Sequence, residues 1–269
     1  MHDPREVMSR PAPAPDMTVR YGPLPEHVAD VRWPTSPVSG PAPLVVVVHG
    51  GFWRSTIDRA HTGPQCAGLA AEGFVVAAIE YRRTGQEGGG WPGTFEDVGA
   101  AVDAVPGLVA EAAGVAGEGV DVDRTVLLGH SAGGHLVAWL ATQPRPGVVG
   151  AVSLGGVLDL DAAYRLGLDP GPDGTAVQAL LGGSPEEVPD RYAASDPTRL
   201  GRPAVPVQAL HGTADDVVPD GLSCSYADAT GSQLELLDGV DHFAVIDPLS
   251  RAWPDAVAAV RRAADAGPR

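Results

Sequence analysis

The chain of 269 residues contains no lysine. That absence removes Schiff-base chemistry, a P-loop lysine and a Ser-x-x-Lys dyad together. Cysteine is nearly missing as well. Cys66 and Cys224 are the only thiols, and two isolated thiols in a domain of this size are expected to be unpaired and packed. No Cys/His group has zinc spacing, so neither a metal nor a cofactor is implied. Positive charge is scarce, giving a net charge of −16. Such a surface does not suit a phosphate backbone or an anionic lipid surface, so neither nucleic acid nor membrane is an expected partner. The first ten residues lack an apolar signal region. Apolar stretches are broken by Gly or Pro before they reach transmembrane length. The expectation is a soluble, cytoplasmic protein.

What the chain does have is a series of short apolar runs alternating with helical patterns. An irregular N-terminal arm over residues 1–16, with Pro11, Pro13 and Pro15, precedes one domain over 17–269. Residues 17–21 and 27–33 suit a peripheral antiparallel hairpin. The run 44–49 is apolar on both faces and β-branched, as a central parallel strand requires. Further strands are expected over 74–81, 125–128, 148–154, 204–211 and 233–237. Helices are expected over 60–72, from Phe95 onward with Thr94 as cap and Pro106 ending or kinking it, over 135–142, and over 257–264. No helix is marked between the last two strands. Residues 155–204 are irregular, with two short helices, and form a candidate cap. Strands alternating with helices indicate a mostly parallel α/β sheet with helices on both faces. Ligands bind such sheets at the carboxyl ends of the strands.

The most informative stretch is Val126-Leu127-Leu128-Gly129-His130-Ser131-Ala132-Gly133-Gly134. An apolar strand runs into Gly-x-Ser-x-Gly and then into a helix, which is the pattern of a nucleophile elbow. A serine hydroxyl is a weak nucleophile and needs a base, which an acid must orient. On this kind of sheet the chain order is Ser, then Asp or Glu, then His. His135, His211 and His242 follow Ser131. His135 lies on the elbow helix and would point away, and His211 precedes the good acid candidates. His242 is therefore the expected base. The acid is expected after the penultimate strand, at Asp215, with Asp216 as the neighbouring alternative; Asp241 is too close in sequence to reach the far ring nitrogen of His242. Oxyanion donors are expected from the amides of Ala132, Gly51 and Phe52, the last two in His49-Gly50-Gly51-Phe52-Trp53 after the first central strand. Trp53 either shapes the pocket or packs beneath that loop. Trp91, in a Gly-rich loop, is a candidate pocket residue, and Tyr81 is expected to be structural.

Together these residues resemble the α/β-hydrolase superfamily over nearly the whole chain. The loop from His49 to Trp53 is similar to the His-Gly-Gly-x-Trp loop of the arylformamidase (kynurenine formamidase) group, itself related to the hormone-sensitive-lipase-like esterases. The elbow from Gly129 to Leu136 is similar to that group's elbow. Phe52 stands where the lipase-type loop has a third glycine, which favours the formamidase side. The resemblance implies an α/β-hydrolase fold with a short cap. It also implies a cofactor-independent serine hydrolase cleaving a small carboxylic ester or an N-formyl arylamine through Ser131, His242 and Asp215. The alternatives are a carboxylesterase without formamidase activity, an oligopeptidase-like hydrolase, and a non-catalytic small-molecule receptor.

Overall fold

The protein is described by a computed structural model covering residues 4–266. Its eight strands are β1 (Met17–Arg20), β2 (Val28–Arg32), β3 (Ala42–Val48), β4 (Val75–Ile79), β5 (Val120–His130), β6 (Val148–Leu154), β7 (Val207–Gly212) and β8 (Gln233–Leu237). They form one sheet in the order β1-β2-β4-β3-β5-β6-β7-β8. The hairpin β1–β2 is antiparallel and β2 pairs antiparallel with β4; all other pairings are parallel.

The valine run of β3 shows why the centre is continuous in hydrophobicity. Leu44, Val46 and Val48 enter the core on one face of the sheet, while Val45 and Val47 enter the core on the other. A strand covered on both sides needs apolar residues at every position rather than at alternate ones. Each buried side chain of this kind is worth roughly 1.5–3 kcal/mol. The helices α1 (Gly63–Ala71) and α8 (Trp253–Asp265) cover one face. The other is covered by α2 (Gly93–Ala116), α3 (Ala132–Leu140), α4 (Leu160–Arg165), α5 (Ala176–Leu181), α6 (Pro189–Ser195) and α7 (Gly221–Thr230).

Several elements differ from the sequence expectation. Pro106 does not end α2, which runs through it to Ala116. A helix-interior proline costs about 3 kcal/mol, and the buried face formed by Val98, Ala101, Val102, Val105, Val109 and Ala113 offsets that cost. The helix is therefore not cut to a length too short for a membrane span. By length and composition it qualifies as one, yet this face packs on the sheet and Asp97 in its second turn is buried. Thr94 does not cap α2. It lies inside the first turn, where Oγ1 donates to Arg82 O and accepts from Gly90 N–H at 3.0 Å. The irregular arm carries a 3-10 turn over Pro4–Met8 with Val7 buried, and the Arg10 guanidinium grips both oxygens of Asp247. Residues 155–204 connect β6 to β7 with three short helices, α4 to α6, rather than two.

Candidate active site

Ser131 sits between β5 and α3 at φ 55° and ψ −120°. A non-glycine residue held there costs on the order of 1–3 kcal/mol and persists only where its surroundings enforce it. They do so by close packing. A Cβ on Gly129 would lie 2.1 Å from Gly133 O, and one on Gly133 would lie 2.0 Å from Val48 O. The two motif glycines let the strand, the turn and the helix approach that closely. Ser131 N–H donates to Leu154 O at 2.9 Å, and Ser131 O accepts from Val157 N–H at 3.2 Å.

The next residue after Leu154 leads to the acid and base candidates. A Cβ on Gly155 would be 3.3 Å from both Asp215 Oδ2 and His242 Nδ1. Asp215 follows β7 and His242 follows β8, and the two meet with Nδ1 donating to Oδ2 at 2.6 Å. Oδ1 of Asp215 accepts from the amides of Val217 (2.9 Å) and Val218 (2.8 Å). Burial alone would raise this carboxyl's pKa, but the hydrogen bonds from His211 and His242 hold it well below the usual carboxylate range. Asp216 is exposed. Asp241 accepts from the amides of Phe243 and Ala244 and so caps the turn that carries His242. With Nδ1 committed to Asp215, Nε2 of His242 is the ring nitrogen left to accept a proton.

Two histidines that sequence reasoning passed over hold this pair in place. His211 Nε2 donates to Val218 O at 2.8 Å and lies 3.2 Å from Asp215 Oδ2, while its Nδ1 meets Ser223 Oγ at 2.7 Å. His130, the residue before the serine, donates from Nε2 to His242 O at 2.9 Å. Burial and the neighbouring His242 keep His130 neutral, with its pKa well below the ordinary histidine value. The four-residue spacing from His211 to Asp215 was a usable signal; nothing in the sequence marks the His130 bond.

The loop after β3 lies against the elbow. A Cβ on Gly50 would be 2.8 Å from His130 O and 3.0 Å from Ser131 Cβ. Gly51, Phe52 and Trp53 follow at φ 106°, 48° and 56°. Among the described residues, no hydrogen bond from the amides of Gly51, Phe52 or Ala132 is present. Of the two roles open to Trp53, the structure gives it packing beneath the loop: it is fully buried and meets His135 edge-on at 5.2 Å. Trp91 is half-buried against Phe95, and its amide donates to Leu180 O in α5 at 2.8 Å. Tyr81 is fully buried and donates to His49 O. His135 does turn away from the site, with Nε2 donating to Ser195 O.

Two buried histidines, His135 on α3 and His61 in the 3-10 turn ahead of α1, set an acid limit on stability. Burial brings His135 to a pKa of about 4, and burial, with His49 close by, brings His61 to about 4. Between pH 6.5 and 4 the unfolded chain binds protons that the native state does not, so stability falls as pH falls through that window. We expect the unfolding free energy from urea titrations to drop by a few kcal/mol between pH 7 and pH 4.5, with a smaller drop in His61→Phe.

The strand order, the strained serine after β5 and the loop pressed against it define an α/β-hydrolase fold. The chain belongs to the BD-FAE family, whose model matches residues 30–229. It is 30% identical over 216 residues to the "Probable carboxylic ester hydrolase LipM" of Mycobacterium tuberculosis, covering 72% of this chain and 46% of that protein. It is 29% identical over 150 residues to the kynurenine formamidase of Danio rerio, covering 54% of this chain and 46% of that protein. The chain thus spans about half the length of these curated relatives. A solved structure, the truncated form of a carbohydrate esterase from gut microbiota, superposes with a TM-score of 0.76 at 21% identity, covering 94% of this chain and 98% of that one.

Proposed function

We propose that the protein hydrolyses a small carboxylic ester through an acyl-enzyme on Ser131. The observation that carries this reading is the 2.6 Å bond between His242 Nδ1 and Asp215 Oδ2 beside a serine held on a strained elbow. The Ser131 hydroxyl oxygen attacks the acyl carbon while its proton passes to His242 Nε2. The carbonyl electron pair moves to oxygen, which the amides of Gly51, Phe52 and Ala132 receive. Losing one such donor typically costs about 10²–10³ in rate. Collapse breaks the carbon–oxygen bond to the alcohol, which leaves with the proton from His242. Water then attacks the acyl-enzyme, His242 takes its proton, and the acid is released with Ser131 restored.

A second reading, cleavage of an N-formyl arylamine, is favoured by the His49–Trp53 loop and by the similarity to a kynurenine formamidase. The two are separated by comparing kcat/KM for p-nitrophenyl acetate and N-formyl-kynurenine. Ester turnover with the higher kcat/KM is the expected result. A higher value for the formamide replaces the first reading with the second, and turnover of neither sinks both.

A further inference from the structure

Beneath the oxyanion loop is a buried pair of groups that the chemistry above does not use. Both ring nitrogens of His49 face oxygens. Nε2 is 2.8 Å from Glu80 Oε1, and Nδ1 is 2.8 Å from Gly50 O. A backbone carbonyl only accepts, so Nδ1 carries a hydrogen. Glu80 Oε1 also receives the Tyr81 amide at 3.0 Å and has Arg83 Nε at 3.3 Å. Its Oε2 receives the Arg59 amide at 3.1 Å, with Arg59 Nη1 at 3.8 Å. Two backbone amides donate to this carboxyl and two guanidinium groups lie 3.3 and 3.8 Å from it, a setting that keeps it ionised; an ionised carboxylate only accepts, so Nε2 carries a hydrogen too. Burial alone would raise the Glu80 carboxyl, yet the hydrogen bond from His49 and the other contacts bring it down to about 2.

The other neighbours agree. Tyr81 stacks face-on to His49, with ring centroids 4.4 Å apart, and an aromatic face attracts a cation. His61 meets His49 edge-on at 5.8 Å and is itself kept neutral.

The consequence runs through one peptide unit. The carbonyl that Nδ1 holds belongs to Gly50, and the same planar amide ends in the N–H of Gly51. In a trans peptide that N–H points opposite to the C=O. Fixing one end therefore aims the other, and a charged donor on the carbonyl polarises the amide and strengthens its N–H as a donor.

We propose that His49 is a buried imidazolium, held by Glu80, that orients and polarises the Gly50–Gly51 peptide toward the oxyanion. It is a positioning residue, and its effect on turnover rests on the reading of Gly51 as an oxyanion donor.

The first test needs no activity. In the ¹⁵N spectrum of the wild-type protein at pH 7.5, with His49 assigned by its loss in His49→Gln, both ring nitrogens should show a directly bonded hydrogen. One bare nitrogen would overturn the imidazolium whatever the enzyme cleaves. The second test is Glu80→Gln, which leaves a side chain of the same shape without the charge that balances His49. It should leave one His49 nitrogen bare and lower kcat on p-nitrophenyl acetate about tenfold at unchanged KM, a fraction of the loss of a whole donor. Unchanged kcat, or a change confined to KM, overturns the positioning role. Should Glu80→Gln fail to fold, Glu80→Asp keeps the charge and retracts it by one carbon. It should keep both hydrogens and show a kcat loss smaller than tenfold; a bare nitrogen there with full kcat has the same overturning force.

Discussion

Ser131→Ala is expected to lower kcat/KM on p-nitrophenyl acetate by at least about 10⁴-fold, since the nucleophile is a member of a unit that works together. Its fold should be untouched. No side-chain hydrogen bond of Ser131 is among the interactions that hold the elbow, whereas its backbone makes bonds to Leu154, Val157 and His135 that alanine retains. Alanine meets the same positive φ that serine does, so the strain stays in place. The check is the rate together with an unchanged far-ultraviolet spectrum and melting temperature. An alanine variant that keeps even a tenth of the activity removes Ser131 from the mechanism.

Asp215→Asn should cost about 10⁴-fold in kcat, by changing the histidine tautomer. The position of the carboxylate says why. Oδ1 accepts from two backbone amides, at Val217 and Val218, so the asparagine must place its oxygen there. Its NH₂ then points at His242 Nδ1, where an acceptor stood before. Nδ1 becomes the bare nitrogen, Nε2 takes the hydrogen, and His242 can no longer receive the serine proton. Asp216→Asn, on an exposed side chain, should remain within about twofold of wild type, as surface changes usually do. Should Asp216→Asn be the damaging substitution, the acid has been assigned to the wrong residue.

Much of the sheet could be read from the chain because parallel strands buried on both faces leave near-continuous apolar runs, as 44–48 and 148–154 do. The elbow was legible because close packing dictates its glycines. Other elements were hidden for identifiable reasons. Helix α7 is built from Gly221-Leu222-Ser223-Cys224-Ser225-Tyr226, and its inward positions include Ser223 and Thr230. A polar residue facing the core erases the apolar stripe by which a helix is recognised, and Ser223 is there to meet His211. The polar start of β5, residues 120–124, was missed for a similar reason: it is half-exposed, and the register shifts between Thr125 and Val126 in its pairing with β6. Proline at 106 was read by its local cost, while the outcome was set by the packing of Val102, Val105 and Val109. For the site, motif order selected the residues, but contacts such as His130 to His242 O join positions 112 apart, and no local pattern announces them.

The arm ahead of β1 has a meaning beyond its irregular sequence. Arg10 clasps Asp247, and the Arg5 guanidinium lies over the Phe243 ring at 5.8 Å. Both partners belong to the short stretch that begins at His242. This arm is thus a strap across the loop that carries His242. A version shortened to start at β1 would keep every residue assigned to the chemistry and still slacken the loop that holds His242.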